Sequence, residues 1–336
     1  FLLEPDLKLG RGGLRDIHLL RWLWYAKTGE SEPELLLLKG VLSNFDYRRL
    51  MSSQSFLLQL RNEMHFGAGN ASDVLDRAEQ VRVAEAMGFR GRGALLPVEQ
   101  FMRDYFRHTS HVSFMATRAC ELASPPTTMS RVLEPMLGQS ISRDYRMGLR
   151  EISATQLGST KLTSRLSEAV RLLDLSRLYD KRIAQETWYH VYRSAPNYSL
   201  NLEPETIARF RDMLSNPHKL GETLRKMHEL GVLEKILPDF TTARWLLQFN
   251  RYHKYTVDEH CLRAVIEATR LGERSDLLGQ TYRKLKRKWL LHLALLVHDL
   301  GKGQDRDHSV VGEEIARRVG ARLELEPEAI EMAASL

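Results

Sequence analysis

The chain has 336 residues, 27% of them charged and 43% hydrophobic, with a formal net charge of +6. That is long enough to bury a substantial core in two or three domains, and no low-complexity block points to disorder. Two cysteines without a CxxC pairing exclude a disulfide framework and a cysteine zinc site, and suit a reducing cytoplasm.

Taken in order, the chain opens with a glycine-rich loop, EPDLKLGRGG, and turns helical at Leu14. Leu14, Ile17, Leu20 and Trp24 share one face at helical spacing, and Gly29 ends the run. Helical patterns follow over residues 34–42, 47–66, 71–87 and 98–122, and Ser124-Pro125-Pro126 marks a first boundary. Residues 145–149 and 151–155 alternate like two short strands around a turn and predict a small β-hairpin near 145–157. Helices resume over 166–195, 204–214 and 221–230, and Pro238 closes that block. The expected class is all-α, with residues 1–135 a helical region, 136–245 a hairpin plus helical linker, and 246–336 a last helical domain.

That last domain carries the chemistry. Thr256 and Glu259 read as a capping box opening a helix over 257–271, which puts His260 in its first turn. There the positive helix end favours a neutral imidazole, the state a metal ligand requires. A second helix over 288–300 is apolar nearly all round and ends in His298-Asp299, with Gly301 as its stop. Its apolar run, 289–297, is broken only by His292 and is too short to span a bilayer. Adjacent helical residues point about 100° apart, yet at a terminus both can converge on one ion beyond the end. A His-Asp pair there is costly to bury unless paired or metal-bound. Lys302 follows directly, in a position to meet a phosphate, although a solvated loop lysine is an equal reading. His308-Ser309 opens a third helix through Ala321.

Four other features invite functional readings, each with a plainer one. Gly12 and Gly13, ahead of a helix and flanked by Lys8 and Arg15, could turn free amides to a phosphate, with Asp16 completing a metal site. A tight turn with a helix-orienting salt bridge is an equal reading. Asp305 and Asp307 form the DxD pair of the chain, but in a loop within a helical block rather than on a strand, which favours a solvated loop. The basic run 283–288 lacks interleaved aromatics and reads as the solvated start of a buried helix, so no nucleic-acid partner is expected. His253 and His292 read as structural.

Tyr255-Thr-Val-Asp-Glu-His260, Leu296-Val-His298-Asp299-Leu-Gly-Lys302-Gly and Asp307-His308-Ser309, in that order, resemble the HD domain of the bifunctional PII uridylyltransferase/uridylyl-removing enzymes. Glu4-Pro-Asp-Leu-Lys8, Gly12-Gly13-Leu-Arg15-Asp16, Met102-Arg-Asp104-Tyr105-Phe106 and Met227-His-Glu-Leu-Gly231 extend the resemblance over nearly the whole chain. The resemblance implies a cytoplasmic enzyme whose HD half hydrolyses the UMP–tyrosine phosphodiester of the signalling protein PII. Its transferase half uses UTP to make that bond, and its ACT domains sense glutamine. It implies His260, His298 and Asp299 as ligands of a divalent metal, magnesium or manganese. It further implies His308 at a second ion or the phosphate, and Lys302 at the phosphoryl charge. The chain starts at Phe1, stops inside a helical pattern, and lacks the Gly-Ser and paired-Asp strand of the transferase core, the ACT domains and the family's later His and Asp. It is therefore expected to be a piece of a longer protein, without transfer activity and inactive by itself.

Overall fold

The computed structural model describes residues 3–123, 139–249 and 255–335. They divide into two compact units, one of Phe1–Pro125 with Trp245–Thr256, the other of Pro126–Arg244 with Val257–Leu336. The Pro125-Pro126 junction and His253 lie outside the described residues.

The first unit is helical: α1 (Leu14–Thr28), α2 (Pro33–Leu38), α3 (Asn44–Ala68), α4 (Arg77–Ala86) and α5 (Pro97–Ala123). The buried residues of α1 are Leu14, Ile17, Leu20 and Trp24, the face that the spacing predicts. Gly29 ends the helix in the left-handed region, at φ 77°. They pack with Leu57, Leu60, Phe101 and Tyr105 into one core. Two helix starts differ from expectation because a cap or a long-range pairing decides them. Helix α3 begins at Asn44 because the Ser43 hydroxyl accepts the Asp46 amide at 3.1 Å. Helix α4 begins six residues late, since Leu7 donates to Asp73 O at 2.8 Å and Leu75 to Pro5 O at 2.9 Å. That holds residues 73–75 extended until Asp76 caps the helix by accepting the Glu79 amide.

In the second unit the predicted hairpin is present as β2 (Tyr145–Met147) and β3 (Glu151–Ala154), antiparallel, inside a sheet of order β1-β2-β3-β4. The strands β1 (Gln139–Ser140) and β4 (Arg182–Ile183) extend it, β4 pairing parallel to β3. That pairing splits the long helix expected over 166–195. Helices α6 (Gln156–Ser164) and α7 (Leu166–Leu178) come first, then a turn with Asp180 at φ 52°, then β4 and α8 (Gln185–Ser194). There follow α9 (Pro204–Ser215), α10 (Leu220–Leu230), α11 (Leu233–Ile236) and α12 (Phe240–Ala243). The chain re-enters this unit at α13 (Val257–Arg270) and continues through α14 (Leu277–Lys284), α15 (Lys288–Val297), α16 (His308–Arg322) and α17 (Pro327–Ala334). Helix α13 packs against α10 and α15, and α15 against α9, α16 and α17. Among the described residues no helix is long and apolar enough to cross a membrane.

Candidate metal centre

Helix α13 starts at Val257 as expected, but not through the predicted capping box. The buried Thr256 hydroxyl has no hydrogen-bond partner among the described residues. The Glu259 carboxylate instead accepts from Arg225 at 2.9 Å and Arg263 at 2.5 Å. Within the first turn, Asp258 Oδ1 accepts the amide of the next residue, Glu259, at 2.9 Å. His260 follows on the next position.

Helix α15 stops at Val297, three residues earlier than the apolar pattern predicts, and His298 is its C-cap. The His298 amide still donates to Ala294 O at 2.9 Å. After it the bonds shorten to the i→i−3 kind, Leu300 to Val297 O and Lys302 to Asp299 O, each 3.1 Å. His298 and Asp299 thus leave the helix on a tightening turn, which brings two neighbouring side chains onto one point. Gly301 permits this by close approach, not by a left-handed stop. A Cβ there would lie 2.4 Å from His308 O and 2.9 Å from Gly312 N, so α16 could not pass so near. The left-handed residue is Gly303, at φ 77°.

Three donors meet at this point. His260 Nε2 lies 3.2 Å from His298 Nε2 and 3.4 Å from Asp299 Oδ2, which is 3.5 Å from His298 Nε2. All three ligand atoms fall within 4.8 Å of one another. The donor set fits a divalent cation, and one hydrogen bond sharpens the fit. His298 Nδ1 is 2.8 Å from Leu295 O, which can only accept, so Nδ1 carries the proton and Nε2 of the neutral ring offers its lone pair to the cluster. Lys302 Nζ donates to the same Asp299 Oδ2 at 2.7 Å. Cys261 is adjacent in sequence but no ligand, for burial and the charge of Asp299 push its thiol far above its ordinary range.

The other sequence candidates lie elsewhere. His308 is exposed at the start of α16 and is not in the cluster. Asp307 caps that helix, accepting the Ser309 and Val310 amides at 2.9 and 3.3 Å, so this acid of the DxD pair serves the loop, and Arg306 pairs with Glu314. His292 is a satisfied core histidine, with Nδ1 2.6 Å from Leu214 O and Nε2 2.9 Å from the Tyr282 hydroxyl. Burial holds its pKa below the ordinary histidine value. In the basic run, Arg283 donates to the Gly272 and Arg274 carbonyls and Lys288 to the Arg283 and Leu285 carbonyls.

The Lys8–Asp16 segment belongs to the first unit, where its amides are engaged within the loop. Gly12 donates to Asp16 Oδ2 at 2.6 Å, Gly13 to Gly10 O at 2.9 Å, Leu14 to Leu7 O at 2.9 Å and Arg15 to Lys8 O at 3.0 Å. Gly12 and Gly13 are buried, and a Cβ on Gly12 would meet Thr109 O at 1.9 Å. The sequence reading gave no role to His228, Glu234 and Asp258, which form a buried charged group reaching the first turn of α13. Separations of 6 and 30 residues leave no short-range signal for it.

Residues 1–119 match the GlnD PII-uridylyltransferase family, and residues 257–336 match the HD domain family. A bifunctional uridylyltransferase/uridylyl-removing enzyme of Cereibacter sphaeroides is 32% identical over an alignment covering 98% of this chain. The chain spans 36% of the length of that relative. The three converging donors all lie in the HD match, and the glycine loop lies in the other.

Proposed function

We propose that this chain carries the uridylyl-removing centre of a bifunctional PII-modifying enzyme, a metal-dependent phosphodiesterase acting on uridylylated PII in the cytoplasm. The observation that carries the reading is the convergence of His260, His298 and Asp299, with His298 held in the ligand tautomer by Leu295 O. The substrate comes from the family: the Cereibacter sphaeroides relative is named as uridylyl-removing. Magnesium or manganese is the proposed ion, and UTP and glutamine are proposed to act through parts of the full-length protein. Mixed imidazole and carboxylate donors suit such ions with positions left for water and substrate.

A divalent ion at the centre would supply Lewis acidity toward a phosphoryl oxygen and toward the attacking water. The chain's own residues do the rest. His260 and His298 would turn imidazole nitrogens to such an ion, and Asp299 would bring the negative charge that holds a cation. Lys302, 2.7 Å from Asp299 Oδ2, keeps its ammonium at the edge of the centre, where it meets charge building on the phosphoryl group. The leaving group is a tyrosine phenolate, whose conjugate acid has a pKa of about 10, so departure needs little help from a general acid. His308, at the exposed start of α16, is proposed to meet the phosphate or a second ion. The inward-turned amides of residues 8–16 support the tight-turn reading of that loop.

The test is Asp299→Ala in the full-length protein, with uridylylated PII and a panel of free nucleotides as substrates. Loss of PII de-uridylylation with uridylyl transfer intact is the expected result. Undiminished hydrolysis, or turnover of free nucleotides alone, would sink the reading.

A further inference from the structure

One group of buried charges lies outside the three-donor cluster and is used by no step above. His228, in the last turn of α10, has Nδ1 2.7 Å from Glu234 Oε1 and Nε2 3.0 Å from Asp258 Oδ2. Only 3% of the Asp258 side chain is exposed, and His228 and Glu234 are each about nine-tenths covered. The Arg244 guanidinium pairs with the same Glu234 oxygen and donates to His228 O at 2.8 Å. The Phe240 ring stands edge-on to the imidazole, with centroids 5.5 Å apart. Two cations and two anions thus form a neutral group, the condition under which ions are kept in an interior. A carboxylate oxygen beside each nitrogen favours a proton on both, and of the two contacts it is Nε2–Asp258 that has hydrogen-bond geometry. Burial opposes that charge, but Glu234 and Asp258 outweigh it and raise the His228 pKa to about 9.

The position of Asp258 connects this group to the metal centre. Asp258 is the second residue of α13 and stands two before His260. One of its oxygens faces His228 while the other accepts the Glu259 amide, so a single carboxylate joins α10 to the first turn of α13. The hydroxyl of Thr256, the expected cap, has no hydrogen-bond partner among the described residues. The His260 side chain is 45% exposed, so its place against His298 and Asp299 depends on where its own backbone is held. Metal sites need their ligands within about 0.5 Å of the productive geometry, which residues behind the ligands must supply.

We propose that His228 is a positioning residue of the metal centre, acting through Asp258 to fix the first turn of α13 and thereby His260. The inference rests on the metal reading of His260, His298 and Asp299 given above. It predicts that breaking the His228–Asp258 contact loosens metal binding in a chain that remains folded.

The experiment is calorimetric titration of Mn²⁺ into the full chain, as wild type, His228→Gln, Asp258→Asn and the double variant. Glutamine cannot span both carboxylates. Asparagine keeps an oxygen for the Glu259 amide but gives up the charge that His228 pairs with. Each single variant is expected to weaken Mn²⁺ binding about tenfold, the lower end of what supporting residues contribute at metal sites. The double variant is expected to fall no further, because both changes break one connection. Unchanged Mn²⁺ affinity in a folded variant overturns the proposal and leaves the group as packing alone. If His228→Gln does not fold, the near-isosteric Asp258→Asn carries the same measurement. If the wild type binds no Mn²⁺, the metal reading itself falls, and the ¹⁵N resonances of His260 and His298 decide the positioning. Shifts of both in a variant support it, and unmoved resonances overturn it.

Discussion

Two of the glycine-bearing loops that precede helices in this chain do opposite things. Residues 8–13 lead into α1, and residues 301–307 lead into α16. In the first, a run of backbone amides is consumed inside the loop, and Gly12 lies against the backbone of α5. In the second, Gly301 lets α16 pass close behind the turn, and the polar groups ahead of it stay directed at one another. Glycines before a helix therefore do not make an anion site unless the amide accounting leaves donors over. What separates the loops is where their hydrogen bonds end.

The sharpest way to break this contrast is to remove the carboxylate that stands beside the second loop. Asp299→Ala in the full-length protein is expected to lower hydrolysis of uridylylated PII by more than ~100-fold, since losing even a supporting residue of a metal ligand costs about 10–100-fold. Asp16→Ala, its counterpart beside the first loop, is expected to leave hydrolysis unchanged. Gly12→Ala should then cost about 3 kcal/mol in urea unfolding. It combines a left-handed φ of 76° with a Cβ 1.9 Å from Thr109 O. Gly301→Ala has no φ strain and should cost about 2 kcal/mol, with metal affinity falling alongside as α16 is pushed away from the turn.

A smaller effect distinguishes the buried charges near the second loop. His228 is raised from 6.5 to about 9, so its pairing stabilises the fold fully below pH about 6.5 and is lost as pH rises through about 9. The stability difference between wild type and His228→Gln should therefore be larger at pH 6 than at pH 9.5. A difference independent of pH would mean that the ring is not charged. The smallest effect belongs to the cations beside the first loop. Lys8→Ala and Arg15→Ala should each change stability by no more than about 0.5 kcal/mol and leave nucleotide binding untouched. Weakened UTP binding in the full-length protein would restore the phosphate reading of that loop.

Much of this was legible in the sequence because it depends on local periodicity and spacing. The α1 core face, the Gly29 stop, the hairpin, the opening of α13 and the His298-Asp299 pair at the end of an apolar helix all follow from residues within a few turns of one another. What was illegible depended on partners far along the chain. Helix α4 starts late because residues 5–7 claim residues 73–75, and the expected helix over 166–195 is cut because β4 joins β3. The predicted capping box gave way because Glu259 is engaged by Arg225, 34 residues earlier.

The candidate site divides along the same line. Its residue types, order and helix-terminal placement are sequence properties. Tertiary structure decided which glycine packs inside a closed turn against a neighbouring backbone and which makes room for a helix. It also placed His228 behind His260, because a buried charge has to find its partner in space and the chain does not announce where that partner will be.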